Sequence, residues 1–215
     1  MNLREIPIFK NLSDEEIREI EKSTNIEEKI FPKASHIFKE GDIKDDFYYL
    51  IQGSVKVYKV DPEGKRYIIA SFTKPAIFGE VYAYLKEPFD FWAEADKESK
   101  ILVISDFRGL MAKIQSRTLL LNFTDLLARK SLTLSKKNQI NSKTSLKQKI
   151  AAYLIENEKE GKVHLETSRE EWADYLATTR PSLSRSLSLM AKDGLISIED
   201  RQIEIKNKNA LANLI

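Results

Sequence analysis

The stretch "ATTRPSLSRSLSLMAKDGLI", residues 177–196, restricts the fold of this chain more than any other segment. Leu183, Leu187 and Met190 recur at the spacing of one helix face, yet Pro181 stands just ahead of them. Inside a helix a proline removes a hydrogen bond and clashes with the preceding turn. In the first turn its missing N–H has no intrahelical partner to lose. The helix must therefore begin beside Pro181, with the Thr179 side chain as its cap. Upstream, Ser168 is followed three residues later by Glu171, a capping-box pair that starts another helix at Arg169. Trp172 and Leu176 lie four apart on one face of that helix, which has to stop at Ala177–Thr178 to make room for the next. Two short helices joined by so tight a turn form a helix-turn-helix.

The second helix turns Pro181, Ser182, Arg185 and Ser186 away from its leucines, with Arg180 at the leading end, and no acid appears before Asp193. In a helix-turn-helix the second helix fits the major groove of DNA. An arginine there donates a bidentate pair to guanine, worth about 1–3 kcal/mol of discrimination. Small serines such as Ser182 and Ser184 allow close approach and bond phosphates or base edges. The plainer reading is an ordinary solvated helix. "DGLISIEDRQIEIKN" follows, with two alternating runs around "EDR" that predict a β-wing.

The first half of the chain has a different texture. From about Ile30 to Ile104, short apolar or alternating runs are separated by turn signals at "EGD", "QGS", "DPEGK" and "TKPA". Gly41, Gly53, Gly64 and Gly79 punctuate it, which predicts an antiparallel roll of short strands. Ahead of the roll, Ser13 and Glu16 form a capping box on a short helix, "SDEEIREIEK". Behind it, roughly Leu119 to Gln139 has neither Gly nor Pro. Leu120, Leu127 and Leu134 repeat at seven with Phe123 three after the first, as in a coiled-coil seam. Lys130 and Lys137 spoil that seam. A helix pairing with its own copy is the preferred reading, and packing on the roll is the alternative. The run from Arg129 to Lys149 carries seven basic residues and no acid, which suits a polyanion or simply a solvated face. "NSKTSLKQ" reads as a hinge, and "KVHLET" as a short strand. The expected class is α+β: a β-roll over 1–117, a dimerisation helix and hinge over 118–142, and a winged helix-turn-helix over 143–215.

Composition excludes several chemistries. The chain has no cysteine, so disulfides, thiolate-held zinc and iron–sulfur clusters are ruled out. His36 and His164 are its two histidines, too few for imidazole-based metal or acid–base sites. No metal and no cofactor is expected, and a cupin-like metalloenzyme would have only His36 in the relevant half. The N-terminus does not read as a signal peptide and no run is long enough to span a membrane, so a cytoplasmic protein is expected.

In this order of parts, with "EGD", "QGSVKVY" and "FGE" in the roll and "TTRPSLSRSLSLMAKDGLI" near the end, the chain resembles the Crp–Fnr family of bacterial transcription regulators over nearly its whole length. The resemblance implies a homodimer on pseudo-palindromic double-stranded DNA, RNA polymerase as a further partner, and no enzymatic activity. It implies base reading by Arg180 and Arg185, and contact with the DNA backbone at Ser168 and Arg169. Pro181 replaces a frequent glutamate that reads cytosine, so the family's best-known operator is not implied. Ala177 stands where many members have glycine; in a left-handed conformation it would be strained by roughly 1 kcal/mol. In the roll, Gly79 and Glu80 match the cyclic-nucleotide cassette, but the following stretch lacks the arginine that holds the cyclic phosphate. Phe89 and Asp90 occupy that region, and Leu134-Ser135 replaces a Thr-Ser pair that holds the base. Tight cAMP binding is therefore not expected. What remains is a pocket of Phe78, Tyr82, Phe89 and Trp92, with Leu127 and Lys130 on the dimer helix, suited to an aromatic or acidic effector. Alternatively these aromatics fill the roll, and the protein binds DNA without an effector.

Overall fold

The computed structural model describes residues 2–165 and 167–215. Short 3-10 turns at Leu3–Glu5 and Pro7–Phe9 lead into helix α1 (Asp14–Ser23), where the Glu16 N–H donates to Ser13 Oγ and the Ser13 N–H to Glu16 Oε2. The roll follows as β1 (Ile26–Phe31), β2 (His36–Phe38), β3 (Phe47–Val60), β4 (Arg66–Phe72), β5 (Ala76–Phe78), helix α2 (Glu80–Leu85) and β6 (Trp92–Ile104). Helices α3 (Phe107–Lys113) and α4 (Arg117–Asn141) complete this half. The remainder comprises α5 (Leu146–Asn157), β7 (Lys162–His164), α6 (Arg169–Tyr175), α7 (Arg180–Lys192), β8 (Ile196–Glu199), β9 (Gln202–Ile205) and α8 (Lys208–Ala212).

All strand pairs are antiparallel. In the roll the order is β1-β6-β3-β4, with β2 on β6 and β5 on β3; in the second half it is β7-β9-β8. One expected turn is absent. "QGS" lies inside β3, where the pairing with β6 shifts register around Gln52 and Ser54. Gly53 has φ +116, and a Cβ there would lie 2.5 Å from Ser99 Cα. The glycine therefore marks a bulge with close backbone approach, and the Ser54 N–H donates to Ser99 Oγ at 2.9 Å across it.

The chain divides into two compact units, one ending at Ala128 and the other beginning at Arg129, so the division falls within α4. The first unit has two apolar clusters. Ile6, Phe9, Ile20, Phe47, Phe107 and Phe123 belong to one, while Phe38, Tyr48, Leu50, Phe78 and Phe89 fill the roll. The second unit buries Ile150, Leu154, Trp172, Leu183, Leu187 and Met190 together. Phe123 corrects the expected seam. It is buried against Phe107 and Tyr84, both at 5.3 Å, and so cannot face a second helix. Leu120 and Leu134 are 58% and 59% exposed, and helical spacing puts Thr124 and Ser131 between them. Among the described residues, no helix is long and apolar enough to cross a membrane.

Candidate nucleic-acid interface and roll interior

Helices α6 and α7 take the arrangement expected of them. Ser168 caps α6 reciprocally: the Glu171 N–H donates to Ser168 Oγ at 3.2 Å and the Ser168 N–H to Glu171 Oε2 at 2.7 Å. After Tyr175 the chain reverses through Ala177, whose φ of +51 is left-handed. The Thr178 N–H reaches back to the Ala173 carbonyl at 3.0 Å, which closes the turn. Thr179 then caps α7, accepting from the Ser182 N–H at 3.4 Å while its hydroxyl donates to Ser182 Oγ at 2.9 Å. Pro181 occupies the first turn and costs no hydrogen bond. Leu183, Leu187 and Met190 are buried, each burial worth about 1.5–3 kcal/mol, so the opposite face is fixed outward.

On that outward face Arg180, Pro181, Ser184 and Arg185 are exposed and Ser182 is half-buried. Arg180 Nη1 lies 4.0 Å from Glu170 Oε2, a loose pair in solvent. Arg185 has no hydrogen bond or ion pair among the described residues. Its guanidinium is free to meet an acceptor. Arg169 is placed differently from a free phosphate ligand. Its guanidinium sits 5.4 Å over the Trp172 ring, and Nη2 donates to the Asp200 carbonyl in the wing turn at 3.3 Å. Burial pulls its pKa below the usual arginine range, with the Asp200 charge opposing that shift. Arg169 thus braces α6 against the turn between β8 and β9. The basic run from Arg129 to Lys149 is also partly engaged within its own unit: Lys136 pairs with Glu156 and Lys147 with Asp193, both at 2.8 Å, and Lys149 Nζ donates to the Leu176 carbonyl at 3.3 Å.

The residues nominated in the roll do not form one constellation. Phe78 and Phe89 are buried around Phe38, whose ring stacks on Phe89 with centroids 3.7 Å apart. Tyr82 stacks on Phe89 at 5.2 Å. Gly79 is left-handed, which favours glycine, and a Cβ on it would come within 3.2 Å of Phe89 and 3.3 Å of Phe38, so the phenyl stack would have to give by a few tenths of an ångström. Glu80 is buried at the start of α2. Trp92 belongs to a separate group, with its ring 5.0 Å from His36 and 6.3 Å from Tyr58. Leu127 packs with the α1 and α3 cluster, whereas Lys130 and Leu134 are exposed residues of the second unit.

Asp90 is not the isolated anion that its sequence neighbours suggest. Lys59 of β3 reaches it at 2.6 Å, and the Tyr82 hydroxyl donates to its other oxygen at 2.6 Å. These bonds hold the Asp90 carboxyl below the usual range, while burial and the Asp90 bond push Tyr82 up to about 12. A second polar group went unseen in the sequence. Glu94 accepts from the Tyr58 hydroxyl and Arg66 Nη1, both at 3.1 Å, with His36 Nε2 at 3.4 Å. Both groups join distant strands, and the only sequence cue is the alternation of β3 and β6.

Comparison with known proteins agrees with this division of labour. The family model for the cyclic nucleotide-binding domain matches residues 28–113, and that for the Crp-like helix-turn-helix domain matches residues 148–214. The nitrogen fixation regulation protein FixK of Rhizobium meliloti is 28% identical over 190 residues, covering 86% of this chain and 85% of that protein. Among solved structures, FixK2 from Bradyrhizobium japonicum superposes with a TM-score of 0.59 at 22% identity, covering 88% of this chain and 97% of that one. A CooA mutant from Carboxydothermus hydrogenoformans gives a TM-score of 0.65 at 18% identity, covering 99% and 95%. These two structures support the fold.

Proposed function

The chain belongs to the Crp–Fnr family of transcription regulators, and from that premise we propose that it works as a homodimer whose paired α7 helices read a pseudo-palindromic operator. The observation that carries this reading is Arg185, exposed and without a partner among the described residues, on a serine-lined face that the buried leucines hold outward. Arg180 reads a neighbouring base, and its loose pair with Glu170 opens at little cost. Thr179, Ser182 and Ser184 provide small hydroxyls beside the DNA backbone, and Ser168 opens α6 towards it. Pro181 offers no side-chain donor or acceptor, so the base opposite it is selected by shape alone. RNA polymerase is the further partner this reading entails.

The dimer contact is assigned to α4, whose Leu120, Leu121, Leu132 and Leu134 are each more than half exposed. Control by cAMP is disfavoured on charge grounds. A cyclic phosphate in the roll would have to compete with Asp90 for Lys59 and would meet the Asp90 carboxylate if it failed. An effector-independent regulator of the same fold is favoured by the Phe38–Phe89 stack, which already packs the roll interior.

Arg185→Ala tests the reading. Fluorescence anisotropy with a preferred and a scrambled duplex should show the preference fall by about 1–3 kcal/mol, while size and melting temperature stay those of the parent. An unchanged preference contradicts the assignment.

A further inference from the structure

Helix α6 ends in carbonyls that its own backbone leaves open. The Leu176 N–H donates to the Trp172 carbonyl, Ala177 to Asp174 and Thr178 to Ala173. The next two carbonyls, of Tyr175 and Leu176, accept no backbone N–H among the described residues. They stand immediately before Ala177, whose φ of +51 turns the chain into α7. Acceptors withdrawn from water without a donor are costly, so this turn makes a demand on its surroundings.

Two side chains from outside the helix-turn-helix meet that demand. Asn141 Nδ2, at the end of α4, donates to the Tyr175 carbonyl at 2.9 Å. Lys149 Nζ, near the start of α5, donates to the Leu176 carbonyl at 3.3 Å. A carbonyl only accepts, so the Asn141 amide has to present its nitrogen there, and its Oδ1 is left buried without a partner among the described residues. The donor it supplies accounts for an asparagine at a place where its oxygen is a cost. The two donors flank the connection 142–145, and both flanks are pinned. Ile140 is 2% exposed in the core of this unit, Lys136 pairs with Glu156 at 2.8 Å, and Ser145 caps α5, accepting from the Gln148 N–H at 3.2 Å. The stretch whose sequence reads as a hinge is therefore fastened on both sides to the end of α6.

We propose that Asn141 and Lys149 are positioning residues for DNA reading. By holding consecutive carbonyls at the end of α6, they fix the direction in which α7 leaves the turn, and with it the placement of Arg180 and Arg185. Asn141 ties that direction to α4, the helix assigned to the dimer contact. The inference rests on the proposed function. Neither residue has to touch DNA, which separates Lys149 from a phosphate ligand.

The test is anisotropy of the full-length protein, over a range of salt, on the duplex that the wild-type chain enriches from a randomised pool and on a scrambled one. Lys149→Met removes one donor and keeps the length of the side chain. Asn141→Leu removes the other donor together with the unpaired oxygen. Each should lower the preference for the enriched duplex by about tenfold, while affinity for the scrambled duplex and the salt slope stay those of the parent. Lys149→Arg, which still donates, should keep most of the preference. A phosphate contact at Lys149 would instead weaken both duplexes equally and reduce the salt slope by about one, which overturns the proposal. An unchanged preference in either donor-less variant, or Lys149→Arg no better than Lys149→Met, overturns it as well. Parental affinity for the scrambled duplex shows that a variant is folded; if Lys149→Met is not, Asn141→Leu decides. A wild-type chain that enriches no duplex contradicts the proposed function itself, before any variant is compared.

Discussion

Ala177 concentrates the cost of the turn in one residue. A left-handed φ of +51 brings Cβ against the backbone, a penalty of roughly 1–2 kcal/mol for a residue other than glycine. Ala177→Gly removes that penalty and returns part of it as extra entropy in the unfolded chain. A net stabilisation of about 0.5–1 kcal/mol is expected, seen as a rise of a few degrees in the thermal midpoint. An unchanged or lower midpoint would mean that the turn is not strained at this position. The same scale separates the two arginines proposed to read bases. Arg180 has an acid at 4.0 Å and Arg185 has no partner among the described residues, so on the proposed function Arg185→Ala should cost more DNA affinity than Arg180→Ala. The sequence alone does not separate them, because Glu170 lies ten positions away and across a turn.

The helix-turn-helix was legible in the sequence because its determinants are local. Ser168 with Glu171, Thr179 with Ser182, and Pro181 in the first turn each act within four residues. The roll was legible only as an architecture. Which side chains meet inside it depends on the register between β3 and β6, and that register shifts at Gly53. Hence the sequence does not show Lys59 beside Asp90, and Trp92 joins His36 and Tyr58 instead of the phenylalanines of the roll. Phe123 fitted a seven-residue seam by spacing, but the face it takes is set by Phe107 and Tyr84, which no helical period encodes. At this scale the roll predicts its response to cAMP. With Lys59 engaged by Asp90, calorimetry should give no saturable heat at micromolar nucleotide, and a micromolar or tighter complex would show that the carboxylate yields its lysine.

At the scale of the whole molecule, reading an inverted repeat requires two copies held at a fixed separation, so the proposed function assigns the exposed leucines of α4 and the Arg185 guanidinium, without a partner among the described residues, to one purpose. Replacing Leu120 and Leu134 together by lysine should convert the protein to a monomer by sedimentation and weaken operator binding by more than tenfold. Each half would then have to bind alone. A dimer that survives both lysines places the contact elsewhere. The most direct measurement is selection of bound duplexes from a randomised pool by the wild-type chain. The account predicts an enriched inverted repeat whose half-site centres lie about one helical turn, roughly 34 Å, apart. Recovery of unenriched sequence, or of a single unpaired half-site, would contradict it.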